Sequence, residues 1–415
     1  MKRLRASGLA RGDIALTTTT SAVSRAIRAG TKSDISHAMI CVQHGSVIDA
    51  TDEGVHARNL QRLFLDDECA VHVLRLGEGL SDEQARAVCQ FVRQQVGSEY
   101  SVKEALRTAL GGSSEWTRKQ FCSRLVAQAY AFAGIKLVAD PNYCSPADLT
   151  KSSLLVVVPD ATESVTDEAV ASWNKHSDTT KKMREATNEV LKGVRKRDKS
   201  IQTIEDVIAH LIQHPEDDEY VDGLLASSGY LTVWQAEMEK NPWQYDSRLL
   251  AELPRRQCQE YCATTVKDEE AGPNRYLVNR GQCAALAKYY GLSSFRTLLD
   301  LYDLLAALHR QRIVVARRWL ESNGLIAPSV PVVLVPHSPE WFEAMELWEP
   351  PKAAQTRAMV DHAGSDDVCS VCGDEPAFIC RLAEGFRPAG GPDTLRLCED
   401  CLEIRRASGD PFVQI

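Results

Sequence analysis

Two groups of cysteines in this chain could do chemistry, each by a different logic. The first is a lone thiol in the run Gln120-Phe121-Cys122-Ser123-Arg124-Leu125-Val126-Ala127-Gln128-Ala129-Tyr130-Ala131-Phe132-Ala133-Gly134. Phe121, Leu125, Ala129 and Phe132 recur at helical spacing and give an apolar face, Arg124 and Gln128 lie on another, and Gly134 supplies the stop. A thiol at the head of such a helix feels the positive end of the macrodipole, and Arg118 and Lys119 upstream add to that field, so the thiolate is favoured. We take the helix to start at Phe121 rather than at an earlier Thr117–Gln120 capping box, which would move Cys122 into the second turn.

The second group is Cys369-x-x-Cys372, followed by Gly373, and Cys398-x-x-Cys401, with 25 residues between the pairs. Two such pairs fit a tetrahedral four-thiolate zinc site of the zinc-ribbon or treble-clef kind. Gly373 suits the tight knuckle, Ala377 to Leu382 reads as a strand, and Leu402 to Arg405 continues a helix. Four thiolates leave a metal no open position for water, so the predicted task of this zinc is structural: stability, or docking of a protein partner.

These groups need scaffolds, and 415 residues suffice for two or three domains. Lys plus Arg is 48 and Asp plus Glu is 57, a net charge of -9, which argues against nucleic acid or an anionic membrane surface as partner. The N-terminal stretch lacks an apolar signal core, and no run of about 18 apolar residues occurs. Thirteen cysteines, an odd number scattered through helical and strand patterns, read as reduced thiols. The expectation is a cytoplasmic protein with no transmembrane segment.

Along the chain, Gly12 to Thr17 reads as a strand and Ser21 to Arg28 as a helix. Ser36-His37-Ala38-Met39-Ile40-Cys41-Val42, turning at His44-Gly45 into Val47-Ile48-Asp49-Ala50, reads as a β-hairpin. Ala70 to Leu76 is another strand, Ser81 to Val96 an amphipathic helix, and Leu154 to Val158 a last strand. The first domain is therefore α+β and ends near residue 160. From 161 to 350 the pattern is mainly helical, with a basic amphipathic helix over Lys181–Ser200 carrying Met183, Ala186, Val190 and Val194 on one side, and a long helix over Ser294–Ser322. A helix-turn-helix cadence at Gln282 to Ser294 leads into Leu298, Leu301 and Leu304, a core stripe rather than a groove reader. Val330 to Val335 reads as a short strand, Glu340 to Trp348 as a short helix, and 364–415 as the zinc module.

Taken together, Gly12-Asp13-Ile14 to Arg28, Ser36-His37-Ala38, Val47-Ile48-Asp49-Ala50, Gly54-Val55, Gly97-Ser98-Glu99-Tyr100, Phe121-Cys122-Ser123-Arg124-Leu125-Val126 and Ser145-Pro146-Ala147-Asp148-Leu149 resemble the permuted, NlpC-type papain-like cysteine hydrolases of the YiiX/YaeF-like amidase group, over residues 10 to 160. In that family the histidine strand precedes the cysteine helix, as His37 precedes Cys122 here. The resemblance implies a nucleophile at Cys122, a general base at His37 and an orienting polar residue at Asp49. Simple hairpin register instead pairs Val42 with Val47 and sets Asp52 opposite His37, leaving Asp49 three residues along the strand. Both acids stay open as the orienting group.

The function these features imply is a thiol hydrolase that cleaves an amide, isopeptide or ester through an acyl-enzyme. Its rivals are an acyltransferase or thiol lipase using the same residues, and an inactive adaptor that grips protein or nucleic acid through its helical and zinc parts.

Overall fold

The computed structural model describes residues 1–19, 22–43, 45–109, 117–270, 275–326, 333–348, 350–383, 392–408 and 410–415. The chain divides into two compact units, Met1–Glu237 and Met238–Ile415. The first unit comprises, in order, β1 (Lys2–Leu4), β2 (Ile14–Thr17), α1 (Ala22–Thr31), β3 (His37–Gln43), β4 (Ser46–Thr51), β5 (Gly54–Asn59), β6 (Val71–Leu76), α2 (Asp82–Gln94), α3 (Val102–Ala109), α4 (Cys122–Phe132), α5 (Pro146–Leu149), β7 (Leu155–Val157), β8 (Thr162–Ser164), α6 (Asp167–Lys175), α7 (Thr179–Val194), α8 (Ile204–Gln213), α9 (Asp218–Ser227) and the start of α10 (Val233–Lys240).

Six of these strands form one sheet in the order β5-β4-β3-β2-β6-β7. Alternation along β2, β3 and β4 sends Ile14, Leu16, Ile40 and Ile48 to one face, where Leu125, Val126 and Ala129 of α4 and Val88 and Val92 of α2 pack on them. The other face carries Ala15, Met39, Cys41 and Val47 against Leu4 and Leu60. Both faces of the central strands β2, β3 and β4 are therefore covered, and α4 lies on one of them.

The apolar stripe read for α4 is too narrow. Residues Cys122 to Ala127 are all buried, Arg124 among them at 0% exposure, whereas Phe132 at the far end is 55% exposed. Charge is accommodated instead: Arg124 Nε and Nη1 donate to the carbonyls of Asn142 and Lys119 at 2.8 and 2.7 Å, Nη1 lies 2.5 Å from Glu104 Oε2 on α3, and the guanidinium sits 4.4 Å from the Phe121 ring centroid. A buried cation needs such a set of partners, which a face-by-face reading of polarity does not anticipate.

The hairpin register also differs from the simple one. Met39 pairs with Asp49, Ile40 with Ile48 and Cys41 with Val47, but Gln43 pairs with Ser46, so Val42 is an extra residue on β3. This β-bulge is held from α2: the Val42 carbonyl, released from the ladder, accepts from the Cys89 thiol at 3.4 Å and from Arg93 Nη2 at 3.3 Å. His44 lies outside the described residues.

The first unit continues past residue 160, where later elements pair with or pack on its early strands. β8 pairs with β1 in a separate two-stranded sheet, and α7 packs on β5, with Ala186, Val190 and Val194 buried and Met183 turned out at 43% exposure. Asn188 donates to the Glu53 carbonyl at 3.2 Å, and Arg195 Nη2 to that of Gly97 at 2.9 Å. Leu191 approaches Gly97 so closely that a Cβ there would lie 2.2 Å from its Cδ1, and Gly97 has φ +95°, so this crossing needs glycine.

In the second unit α11 (Ser247–Ala251), α12 (Arg255–Glu270) and α13 (Arg275–Tyr290) precede α14, which runs Ser293–Ser322 as the sequence leads one to expect. Cys258, Cys262 and Val266 of α12 pack on Val315, Ala316 and Leu320 of α14. Leu298 and Leu301 are buried, while Leu304 is 36% exposed. Then come α15 (Pro339–Trp348), α16 (Pro350–Ala363), β9 (Phe378–Leu382), β10 (Thr394–Leu397), α17 (Glu399–Ala407) and β11 (Phe412–Gln414), with the strands ordered β10-β9-β11. The strand read at Val330–Val335 is not formed over 333–335, and its first residues lie outside those described. The cysteine-rich tail does not build a core by itself: Trp341, Phe342 and Met345 of α15 and Ala353 of α16 complete it around Leu397, Leu402 and Phe412.

Candidate functional site

Cys122 is the first residue of α4 and is 3% exposed. Phe121, the N-cap, offers no side-chain oxygen to the first turn, so the positive end of the helix is left for the thiol. The residues on either side hold this end of the helix in place. Ser123 Oγ donates to the Cys144 carbonyl at 2.7 Å while the Cys144 thiol donates back to the Ser123 carbonyl at 3.3 Å, and Arg124 ties down residues 119 and 142 as described.

His37 opens β3 with its side chain 15% exposed. Its Nε2 bonds Asp49 Oδ2 at 2.8 Å, and the Cys122 side chain is close enough to act on the ring's charge. Burial lowers the proton affinity of this ring. The negative charge of Cys122 and the hydrogen bonds to Asp49 and Cys122 more than reverse that, and the pKa is pushed up to about 10. The ring is thus held as imidazolium beside the ionised Asp49 carboxylate.

Asp49 is fully buried in β4. Burial favours its neutral form, but the hydrogen bond and charge of His37, the Arg58 guanidinium and the nearby His56 hold it well below the usual carboxylate range. Arg58 Nη1 donates to Oδ2 at 3.1 Å, and His56 Nε2 stands 3.7 Å from Oδ1. Asp52, the acid set opposite His37 by simple register, lies exposed in the β4–β5 turn. The bulge at Val42 is the reason: it moves the register by one residue, and because side chains alternate, that single step brings Asp49 onto the face of His37.

The structure adds residues that the sequence reading assigned no role. Tyr100 is half-buried, and burial together with the negative charges of Cys122, Asp52 and Asp49 keeps its phenol protonated. His56 and Arg58 come from β5, a strand not read in advance, although the alternation Val55-His56-Ala57-Arg58 carries the period-two signal.

In the second unit the side-chain sulfurs of Cys369, Cys372, Cys398 and Cys401 all lie within 4.8 Å of one another. Cys372 Sγ is 3.5 Å from Cys398 Sγ and 3.6 Å from Cys401 Sγ, and none of the four is in a disulfide. Metal–sulfur bonds of about 2.3 Å in a tetrahedron imply sulfur separations of about 3.8 Å, so the spacing fits a metal ion. The knuckle is built by Gly373, φ +82°, whose N–H donates to the Cys369 carbonyl at 3.0 Å, while Cys369 N–H donates to the Asp374 carbonyl at 2.9 Å. Ser370 crosses to β10, its N–H donating to the Arg396 carbonyl at 2.8 Å and its Oγ accepting from Arg396 N–H at 3.0 Å. These four cysteines could hold one metal ion.

Residues 8–177 match the family described as the permuted papain-like amidase enzymes, YaeF/YiiX, C92 family. Among solved structures the chain is similar to that of the metalloprotein yiiX from Escherichia coli O157:H7, with 21% identity and a TM-score of 0.29, over 36% of this chain and 95% of that one. No curated protein matches. The match of residues 8–177 suggests a papain-like amidase or hydrolase. No helix among the described residues is long and apolar enough to cross a membrane.

Proposed function

We propose that the first unit is a thiol hydrolase acting on an amide, isopeptide or ester, with Cys122 as nucleophile, His37 as general acid and base, and Asp49 as the group that orients His37. The observation that supports this reading is the position of His37, bonded through Nε2 to Asp49 Oδ2 and near enough to Cys122 for the sulfur to raise its proton affinity. The thiolate at the head of α4 attacks the acyl carbon. His37 gives its Nδ1 proton to the departing amine or alcohol, leaving a thioester on Cys122. Water then attacks that thioester, losing a proton to Nδ1, and release of the acid restores the thiolate–imidazolium pair. Asp49, kept ionised, holds the ring with Nδ1 toward sulfur throughout. The description of the matched family as amidases favours an amide among the three bonds. Screening the full chain against amides, isopeptides and esters, with mass spectrometry of the intact protein, tests this. Expected is a covalent acyl adduct that maps to Cys122; turnover without any such adduct, or an adduct retained in Cys122→Ser, rules the reading out.

The second unit carries, on this reading, a structural zinc at Cys369, Cys372, Cys398 and Cys401. A metal bound there would replace sulfur repulsion with four bonds and join α17 to the knuckle. With all four positions taken by thiolates it has no vacancy for substrate, so its contribution is to folding or to docking of a protein partner.

A further inference from the structure

Asp49 uses only one of its oxygens. Oδ2 serves both His37 Nε2 at 2.8 Å and Arg58 Nη1 at 3.1 Å, whereas the buried Oδ1 accepts no hydrogen bond from the described residues. The group facing Oδ1 is His56, 3% exposed and directly opposite Asp49 in the β4–β5 ladder, with Nε2 3.7 Å away. His56 Nδ1 lies 3.0 Å from the Gly54 carbonyl, which can only accept, so Nδ1 carries its hydrogen in either charge state. That carbonyl is itself fixed. Gly54 has φ +94°, and a Cβ there would lie 2.8 Å from the Ser98 carbonyl oxygen. The neutral His56 ring must therefore turn a bare Nε2 lone pair toward a carboxylate oxygen. Protonation of Nε2 converts the same contact into a charge-assisted hydrogen bond and satisfies the orphaned atom.

We propose that His56 is a positioning residue, acting on His37 through Asp49: a proton taken up at His56 Nε2 closes the ring onto Oδ1, so that the carboxylate orienting His37 is gripped from both sides. The inference rests on the reading of Cys122, His37 and Asp49 given above. The groups that face His56 are Asp49 from β4, Arg58 from β5 and Arg184 from α7, the last ion-paired to Glu53 at 3.1 Å. Burial lowers the proton affinity of His56; Asp49 and the Gly54 carbonyl raise it; Arg184 and Arg58 lower it again, with the balance below the ordinary imidazole value. The grip therefore engages in acidic solution and relaxes toward neutrality.

The test uses imidazole-nitrogen NMR of the full chain across pH, with the rate of Cys122 alkylation by iodoacetamide measured on the same samples, for the parent, Asp49→Asn and His56→Gln. Expected in the parent is a His56 titration below the usual midpoint that is reported as well by the His37 resonances and by an inflection in the alkylation rate. In Asp49→Asn the His56 midpoint falls by about a further unit, since its anion is gone. In His56→Gln, whose amide nitrogen can donate to Oδ1 at every pH, the inflection disappears. A His56 midpoint unmoved by Asp49→Asn, or an inflection retained in His56→Gln, overturns the proposal. Failure of the underlying reading looks different: parent alkylation no faster than that of free cysteine and indifferent to His37→Ala, whatever His56 does. The resonance arm still decides the His56–Asp49 relation in that case.

Discussion

Asp49 stands opposite Met39 in the β3–β4 ladder, yet its Oδ2 is bonded to the ring of His37 at 2.8 Å, the residue two places earlier on the same face. The contact is diagonal, within the reach of a long polar side chain, and it exists because Val42 bulges between the hairpin turn and the site.

The first expected outcome concerns the pair that would do the chemistry. Cys122→Ser and His37→Ala should each remove turnover, by at least about a thousand-fold, because the two act as a unit, and circular dichroism should remain that of the parent. Near-normal kcat/KM in either folded variant would remove these residues from the mechanism.

The orienting residue should matter less. Asp49→Ala is expected to cost at least about tenfold less than Cys122→Ser, since it leaves the attacking group in place, while Asp52→Ala, in an exposed turn, should stay within about threefold of the parent. Steady-state kinetics of the three variants decide this, and a larger loss from Asp52→Ala would reverse the assignment.

His37 makes a pH prediction with a definite sign. Its proton is held more tightly in the folded chain, with a pKa of about 10 against an ordinary 6.5, so its contribution to stability is complete below about pH 6.5 and is lost as pH rises through about 10. Denaturant melts of the parent and of His37→Gln should therefore converge between those two values. A gap that widens toward alkaline pH would contradict the imidazolium assignment.

Arg124 and Glu104 give a stability test away from the thiol. Arg124→Ala leaves Glu104, 5% exposed at its side chain, without its cation and should cost about 3–5 kcal/mol. Replacing both, as Arg124→Met with Glu104→Leu, should cost less than the single change. Urea titrations of the three proteins compare them.

For the cysteine cluster, metal analysis should find one zinc per chain, lost in Cys369→Ser. Chelation should unfold the tail, since metal binding in small zinc modules supplies on the order of 10 kcal/mol, and leave alkylation of Cys122 unchanged. Because Trp341 is buried in the same core, its fluorescence should report the loss.

The parts of this molecule that could be read in the sequence are those set by short-range pattern. The helix headed by Cys122, the strand that begins at His37 and the two cysteine pairs each announce themselves through spacing, and the order of the motifs carries the family resemblance. What the sequence concealed is set by long-range partners. Arg124 looks like a surface residue until Asn142, Lys119 and Glu104 are brought to it, and the tail looks too poor in apolar residues to have a core until Trp341 and Phe342 arrive from α15. β5 was readable from its alternation, but nothing local shows that His56 and Arg58 would meet Asp49.

The bulge at Val42 bears on which changes of length this protein can accept. Between His37 and Asp49 the chain has an extra residue on one strand, so the face on which Asp49 emerges depends on whether the number of residues in the hairpin is odd or even. Substitutions here are graded in their effect, but a deletion or insertion of one residue acts as an all-or-none exchange of inside for outside along β4. Loop libraries that vary this hairpin should therefore recover function only when residues are added or removed in twos.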